Sequence, residues 1–598
     1  MKTLLLLAAA LAAPVGPSYQ LDLDRYFPSA AVEQAERTRL MQDQDEFLKQ
    51  AAASLDSPQA LSHWLAHYDA LSKGINRHDT YVYLRAEEDS DDRADAAADE
   101  ALNVASDKLD AAVQETLAEV GASRLHDFMR ADPSLLPYAY FVDSSLLKTA
   151  HTRPGEQAKA LLTTPALDSL GASYSALRRK ALASVPAAKA PGGKDAFDAK
   201  WKPYLDNEDA FAGVLLPIVS LHNGQAKLQG FADGPQEKYF RLSLTSTEVA
   251  NMLAAVRESD ANARYIAVVA AAAARRLHLT PDAVHAWDLD AADSYRPAPV
   301  PFPDVVPMIL AAEQPMGSEY TGQFARLFDP ANQRVGWCHT EKCDDTGFSV
   351  EVPGIPSGLY YGSYTGDTNS MRATAHEAGH AVHGQFKDEN QPLAVYGYGP
   401  NYMGESFAIF NEYLFLEHLY QTAPTPEARA YYLDKFLGQL SFEVWGSAEE
   451  TDLEQSIYTG VQDGSLRTAA DLDALTLKTL ARYTPAPALD PEMKVYWARD
   501  RLFFTDPLYD VNYLYAGLLA LRYLHAFEQD PKGFPARYVA LLKNGFTDTP
   551  QALEKRFLGI DMDDADGLVR NAAEMLTTRT AQLQALYAGC GEAPCPAP

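Results

Sequence analysis

The sequence predicts a mainly α-helical protein. Alanine, leucine and charged residues dominate long runs with helical spacing of apolar positions, such as Ala31–Ala53, Asp92–Glu119 and Glu248–Leu277. Signals for β-strands are sparse, and 47% of the 598 residues are hydrophobic, which is ample for a buried core. We therefore expect helices to form most of the core, with only a small β element.

The N-terminus has the pattern of a secretory signal. Lys2 precedes the apolar run Leu4–Ala13, and the small residues around Ala12 are typical of a cleavage site. We expect a signal peptide over residues 1–12 and an exported protein, periplasmic or secreted. The run is too short to span a membrane, and no other segment is long and apolar enough, so no membrane span is expected.

Two breaks divide the rest of the chain. Residues 184–194 are rich in proline, alanine and glycine, which indicates a linker or an exposed loop. Residues 296–303 are rich in proline and must be extended. We expect an N-terminal helical lobe over residues 20–195 and a catalytic region over residues 196–598.

The four cysteines form two close pairs, Cys338 with Cys343 and Cys590 with Cys595. In an exported protein, such pairs favour two local disulfides. A zinc site made from all four cysteines is the alternative.

The net charge of −30 argues against a nucleic-acid partner, because nucleic acids bind basic surfaces. It is consistent with a solvated acidic surface, and it would also attract cationic peptides.

The most informative motif is His376-Glu377-Ala378-Gly379-His380, which has the H-E-x-x-H spacing of zinc peptidases. Two histidines four residues apart on a helix lie close in azimuth and one turn apart in height, so both rings can reach one metal ion. Glu377 lies beside that position and could take a proton from a metal-activated water. We expect one zinc ion per chain. The alternative is a surface helix with two unrelated histidines.

Catalytic zinc needs a third protein ligand, and Glu405 is the candidate. It follows a break at glycine and proline residues, on what the apolar spacing predicts to be a second helix. Glu412 lies about two helical turns later on the same face and could orient a ligand histidine. His383 is interpreted as a supporting or packing residue, and not as a ligand. An ordinary carboxylate at a helix start remains the alternative for Glu405.

The aromatic segment Gly358–Gly366, bracketed by glycines, predicts a short strand. Asp367 or Thr368 could then cap the helix that carries the histidines. If the strand has a free edge beside that helix, it could pair with an extended peptide. An ordinary structural hairpin is the alternative.

These residues together resemble the M3 oligopeptidases, and within them the oligoendopeptidase F-like branch, which are relatives of thimet oligopeptidase. The run His376–His383 matches the family pattern His-Glu-x-Gly-His-x-x-His, and the pair Glu405 and Glu412 has the family spacing. The segment Phe504–Tyr513 is similar to the family's tyrosine-bearing segment. The resemblance covers roughly residues 200–590. Three runs within it, which begin at Ser220, Arg241 and Trp287, are similar to the part of the family that leads into the catalytic region, and weaker helical agreement lies before residue 200.

The resemblance implies a two-lobed helical metallopeptidase with a deep substrate cleft and a small β element beside the zinc helix. It implies zinc-dependent endopeptidase activity on short, unfolded oligopeptides. Tyr509 and Tyr513 would then donate hydrogen bonds to the transition state. An aromatic face buried in the core is the alternative for these tyrosines.

One departure from the family pattern is clear. The family usually has a histidine shortly before the tyrosine segment, and here Leu502 or Phe503 stands in its place. Arg499 and Arg501 are close in sequence and could supply positive charge instead.

Two other functions stay open. A peptidyl-dipeptidase similar to angiotensin-converting enzymes would have a comparable zinc helix and a later glutamate ligand. A zinc-stabilised peptide-binding protein that has lost catalysis would explain the missing histidine. Retention of Glu377 argues against the second alternative, because zinc binding alone does not need that base.

Overall fold

The structure of the protein is a computed structural model that describes residues 19–50, 52–88, 93–151, 164–185, 193–338 and 347–589. The expected signal peptide, most of the expected linker and three of the four cysteines lie outside these ranges.

The N-terminal part is helical, and its helices up to residue 150 share a core that also includes Val350 and Tyr360. Ser29 caps the first helix by accepting a hydrogen bond from the backbone N–H of Val32. The run expected to be helical up to Ala53 ends earlier, because the chain turns so that Phe47 can stack on Trp64 with ring centroids 5.2 Å apart. The helices are α1 (Ala30–Phe47), α2 (Pro58–Glu88), α3 (Arg93–Val120), α4 (Ala122–Ala131), α5 (Ala139–Ala150) and α6 (Thr164–Ala183).

The middle of the chain is also helical. The expected helix over Glu248–Leu277 is two helices, because Ser259 adopts an extended backbone and its hydroxyl accepts from the N–H of Ala261. The helices are α7 (Gly193–Leu205), α8 (Glu208–Leu228), α9 (Gly234–Arg241), α10 (Ser246–Glu258), α11 (Ala261–Leu277), α12 (Phe302–Glu313) and α13 (Ser318–Phe328).

A three-stranded sheet follows, made of β1 (Val335–Trp337), β2 (Gly347–Val352) and β3 (Ile355–Tyr361). The strand expected within Gly358–Gly366 is β3, but it is the central strand and has no free edge. It pairs in parallel with β1 and antiparallel with β2. The expectation of a free edge on this strand is therefore wrong, and within the described residues the unpaired edge on this side of the sheet belongs to β2.

The C-terminal part contains the largest core. α15 packs against both α14 and α21, and α16 continues into α17 through a π-helical turn at Phe442–Gly446. The helices are α14 (Thr368–Asn390), α15 (Asn401–Thr422), α16 (Pro426–Ser441), α17 (Ser447–Asp463), α18 (Ala469–Leu480), α19 (Tyr496–Arg499), α20 (Leu502–Thr505), α21 (Asp510–Gln529), α22 (Phe534–Asn544), α23 (Pro550–Phe557) and α24 (Ala565–Tyr587).

A cleft separates the N-terminal helices from the C-terminal part. A cavity of about 880 Å³ lies between Tyr68 and Asn103 on one side and Tyr396 and Phe546 on the other. The molecule is thus mainly α-helical and two-lobed, with a small sheet, as expected from the sequence. Among the helices of the described ranges, none combines the length and the hydropathy needed to cross a membrane.

The boundary expected after residue 195 falls inside α7. One buried cluster unites Tyr174 and Trp201 with Trp497, so residues on both sides of that boundary share a core. The division into two regions at this position stays a prediction.

Candidate active site

Helix α14 carries the two histidines along one wall of the cleft. Asp367 is its N-cap, because the carboxylate accepts a hydrogen bond from the backbone N–H of Ser370 at 2.8 Å. Ala375 and Ala378 are fully buried and anchor the opposite face of the helix. The helix therefore holds the half-buried His376 and His380 at the surface of the cleft.

Close packing of α14 against α15 brings Glu405 opposite the histidines. A Cβ atom at Gly379 would lie 2.6 Å from the side-chain nitrogen of Asn411 and 3.0 Å from the Cα atom of Ala408. A larger residue at Gly379 would push the helices apart, so glycine at this position sets their separation. Glu405 is 9% exposed and faces α14 across this contact.

His376, His380 and Glu405 form a compact triad. The Nε2 atoms of the two histidines lie 3.2 Å apart. The Oε2 atom of Glu405 lies 3.4 Å from His376 Nε2 and 3.6 Å from His380 Nε2. Ligand atoms about 2.0–2.1 Å from a tetrahedral zinc lie about 3.3–3.4 Å from each other. Glu405 Oε2 is also buried without a hydrogen-bond donor. These residues fit a zinc ion, and the three form a possible metal site.

The carboxylate of the triad favours the charged form of each histidine, and each histidine favours the charged carboxylate. Burial raises the pKa of Glu405, but the close contacts with His376 and His380 outweigh burial and hold that pKa well below its usual range. Burial lowers the pKa of each histidine, but the contact with Glu405, and for His376 also that with Glu412, outweighs burial, so the pKa of each histidine is raised. In the absence of a metal each histidine therefore keeps its proton to a higher pH than an ordinary histidine does, and a bound cation would displace that proton.

Glu412 orients His376 from behind. Its Oε1 atom accepts from His376 Nδ1 at 2.5 Å, and Arg372 donates to its other oxygen. This contact directs the Nε2 atom of His376 toward the triad. The sequence pointed to Glu412 but missed Arg372, although it precedes His376 by one helical turn on the same face.

Comparisons with known proteins find similar peptidases. Residues 359–573, which contain the triad, match the model of Peptidase family M3. Over these residues the chain resembles peptidase family M3.

The relatives are oligopeptidases by name. The chain is 25% identical over 415 residues to an oligoendopeptidase F homolog of Lactococcus lactis, covering 66% of this chain and 64% of that protein. It is 22% identical over 572 residues to the oligopeptidase PepF of Bacillus subtilis, covering 89% and 82%. The alignment with the first of these M3 relatives thus spans less than two thirds of its length.

Solved structures of the family share the fold. The oligoendopeptidase F of Enterococcus faecium superimposes with a TM-score of 0.67 at 18% identity, over 93% of this chain and 99% of that one. PZ peptidase A with an inhibitor gives a TM-score of 0.70 at 13% identity, over 90% and 97%. The suspected resemblance to the oligoendopeptidase F branch of the M3 family is confirmed.

Glu377, the residue expected to be the base of an M3 site, lies next to the triad and is half-buried. Burial raises the pKa of its carboxyl, while the two histidines oppose that shift. His383 packs on Phe407 and Phe546, with ring centroids 4.6 and 5.7 Å away. Burial lowers the pKa of His383 to about 3, so its ring is neutral and fills space.

The two tyrosines of the M3-like segment also reach the site. Tyr509 lies just before α21, and its hydroxyl donates to Glu405 Oε1 at 2.7 Å. Tyr513 lies one turn later, with its ring centroid 5.2 Å from that of Tyr509. Tyr509 lines a cavity together with His380 and Glu405, whereas the half-buried Tyr513 packs against the hydrophobic core. Their role in the reaction stays a prediction.

Neither arginine near the missing M3 histidine contacts the triad within the described residues. The guanidinium of Arg499 lies over the rings of Trp201 and Tyr496, at 5.3 and 5.4 Å from their centroids. Arg501 is exposed and donates to Thr505. The nearby cation is Lys238, whose Nζ atom lies 5.8 Å from the ring centroid of Tyr509. No signal in the sequence singled out that lysine, because its helix is remote from the motif along the chain.

Proposed function

We propose that this protein is a zinc-dependent endopeptidase that hydrolyses short, unfolded oligopeptides. The observation that carries the proposal is the triad of His376, His380 and Glu405, spaced for one zinc ion and flanked by Glu377 in a cleft. The names of the M3 relatives support peptide hydrolysis.

His376, His380 and Glu405 would hold the zinc ion. When bound, zinc supplies a Lewis acid that polarises a water molecule and the scissile carbonyl. Glu377 accepts a proton from the attacking water and later passes it to the leaving amine nitrogen as the C–N bond breaks. The hydroxyl of Tyr509 or Tyr513 donates a hydrogen bond to the oxyanion that develops on the former carbonyl oxygen.

The substrate would pair with the outer edge of β2. Ser349, Val350 and Glu351 line a cavity of about 400 Å³ together with His380 and Glu405. The inner edge of β2 is paired with β3, so its outer edge can offer main-chain donors and acceptors to an extended peptide. A folded protein uses these groups within its own structure, which favours short, unfolded substrates.

The first test compares Glu377→Gln with the wild type, using a quenched fluorescent peptide with and without a chelator. We expect one zinc per chain in both proteins and a loss of turnover of at least about 10²–10⁴-fold in the variant. Glu389→Gln, an exposed position on the same helix, is the matched control and should retain activity. Near-native turnover of Glu377→Gln would show that the base is assigned wrongly.

The second test maps the cleavage sites on a ladder of peptides, beside a native protein and its unfolded form. An extended chain advances about 3.3 Å per residue, so a cleft on the order of 30–40 Å deep favours peptides of roughly 6–15 residues. Internal cuts in short peptides support the endopeptidase. Removal of only two residues from the carboxyl end would identify a peptidyl-dipeptidase. Binding without cleavage by the zinc-loaded chain would identify a binding protein.

We also propose that the protein is exported, to a periplasm or to the medium. Cys338 is disulfide-bonded, which supports an oxidising compartment. Cell fractionation with N-terminal sequencing tests this location. Peptide mapping without reduction should find Cys338 joined to Cys343 and Cys590 joined to Cys595, and a cross-link between the pairs would contradict the assignment.

A further inference from the structure

A second group of possible metal ligands lies behind the tyrosine segment. Glu450 on α17, Asp500 before α20 and Asp510 at the start of α21 each offer one carboxylate oxygen, and these oxygens all lie within 4.8 Å of one another. Oxygens bound to one Ca²⁺ at about 2.3–2.6 Å are separated by at most about 4.6–5.2 Å. The spacing therefore suits one calcium-sized cation.

Protein donors orient two of the three carboxylates. Tyr496 donates its hydroxyl to Glu450 Oε1, and the backbone N–H of Leu502 donates to Asp500 Oδ1 at 2.9 Å. Supporting contacts of this kind are typical of groups that ligate a metal with their remaining oxygen.

The buried carboxylate of Asp510 indicates that this group binds a ligand. It is 1% exposed, and its Oδ2 atom is buried without any hydrogen-bond partner. A buried carboxylate oxygen without a donor is costly, so this group needs a proton or a cation. Glu454, one turn after Glu450, adds a fourth buried carboxyl whose Oε2 atom also lacks a donor.

Another pair of buried carboxyls in the molecule is satisfied differently. Asp434 accepts from the hydroxyl of Tyr265 at 2.9 Å, and Asp293 accepts from that of Tyr587 at 3.0 Å. Lys435 lies 3.9 Å from Asp434 and supplies a positive charge. Protein donors and a lysine therefore satisfy the carboxyl groups of Asp434 and Asp293.

The group formed by Glu450, Asp500 and Asp510 has no comparable lysine among the described residues, and Asp510 Oδ2 has no donor there. Arg499 and Arg501 lie near Asp500, but the guanidinium of Arg499 lies over two aromatic rings and Arg501 is exposed. Burial, followed by the charge of Asp500, raises the pKa of Glu450 to about 8, and burial raises the pKa of Asp510 well above its usual range. Without a cation the group must therefore retain protons at neutral pH.

We propose that Glu450, Asp500 and Asp510 bind a divalent cation of the calcium class. An all-oxygen ligand set selects a hard cation, whereas the two histidines of the triad suit zinc. The cation would join α17, the segment before α20 and the first residue of α21. It would thereby fix Tyr509, the residue preceding Asp510, whose hydroxyl contacts Glu405. The site does not depend on the proposed peptidase activity.

Terbium is the probe for this site, because Tb³⁺ replaces Ca²⁺ and is excited by nearby aromatic rings. Tyr496 contacts Glu450 directly, and Trp497 is the next residue. The full chain is treated with a calcium chelator and reloaded with one equivalent of zinc before the titration. We expect saturable Tb³⁺ luminescence that Ca²⁺ displaces at lower concentration than Mg²⁺. We also expect Ca²⁺ to raise the Tm by at least about 2–4 °C.

Asp510→Asn should weaken Tb³⁺ and Ca²⁺ binding at least about tenfold and abolish the calcium-dependent rise in Tm. Asp434→Asn, which changes a buried carboxyl that has its own donors, should bind as the wild type does. If Asp510→Asn does not fold, Glu450→Gln replaces it. Equal calcium effects in the wild type and the variant overturn the proposal. Absence of Tb³⁺ binding and of a calcium effect in the wild type also overturns it, since the carboxyls then share protons only.

Discussion

Replacing Glu412 tests how the protein orients a metal ligand. Glu412 is 1% exposed and contacts both His376 Nδ1 at 2.5 Å and Arg372. Glu412→Ala removes the acceptor that fixes the ring of His376. The ring can then rotate, so its Nε2 atom no longer points toward the proposed zinc position. We expect the zinc dissociation constant to rise about 10–100-fold, which corresponds to about 1.4–2.8 kcal/mol.

The same change should destabilise the fold. Arg372 would lose its ion-pair partner while remaining largely buried, so the loss of the two charge-assisted bonds should cost about 3–5 kcal/mol. The stability loss and the zinc loss are separable, because the first is present in metal-free protein. Thermal unfolding of the metal-free chain measures the former, and competition with a chromophoric chelator measures the latter.

Two companion variants sharpen the result. Glu412→Gln keeps an amide oxygen that can accept from His376, so its zinc affinity should fall less than that of the alanine variant. Glu443→Gln is the matched control, because burial raises the pKa of that carboxyl well above its usual range and it already contacts the amide of Gln439. Its zinc affinity should stay within about threefold of the wild type. An unchanged zinc affinity in Glu412→Ala, together with a lowered Tm, would refute the orienting role and leave only a structural one.

Three further outcomes are expected. Glu405→Ala should lose stoichiometric zinc on dialysis, as measured by elemental analysis, and full retention would contradict the triad. Zinc affinity should rise with pH until His376 and His380 have lost their protons, because their pKa values are raised in the metal-free protein. Calorimetry in buffers of different ionisation enthalpy should detect proton release on binding, and zero release would be inconsistent with these shifts. Tyr509→Phe should lower turnover about 10²–10³-fold with zinc content unchanged, whereas an equal loss of zinc would assign the hydroxyl to metal support.

The parts of the site that the sequence predicted are those that depend on local geometry. The helical repeat places His376 and His380 on one face whatever the rest of the chain does. Glu405 and Glu412 were recognised because they lie on a single second helix. Asp367 was one of two expected caps, and the fold uses it.

The misses come from contacts between segments that are far apart in the chain. A strand can be recognised from its residues, but its neighbours in the sheet cannot, so β3 was wrongly given a free edge. Lys238 reaches Tyr509 from a remote helix, and Arg499 turns to aromatic rings that no local pattern reveals. Glu450, Asp500 and Asp510 come from three separate segments of the chain. In the sequence each of them is indistinguishable from an ordinary acidic residue.

The tight contact of Gly379 with Ala408 and Asn411 means that the frame of the triad exists before any cation arrives. In small zinc domains the metal supplies the folding energy, and its removal unfolds the chain. Here the helices that carry His376, His380 and Glu405 are held by the buried side chains of a large core, so the proposed zinc ion would leave and return while the protein stays folded. The fraction of molecules that carry zinc would then follow the free zinc concentration, and the zinc-free molecules would stay folded and would become active when zinc is added.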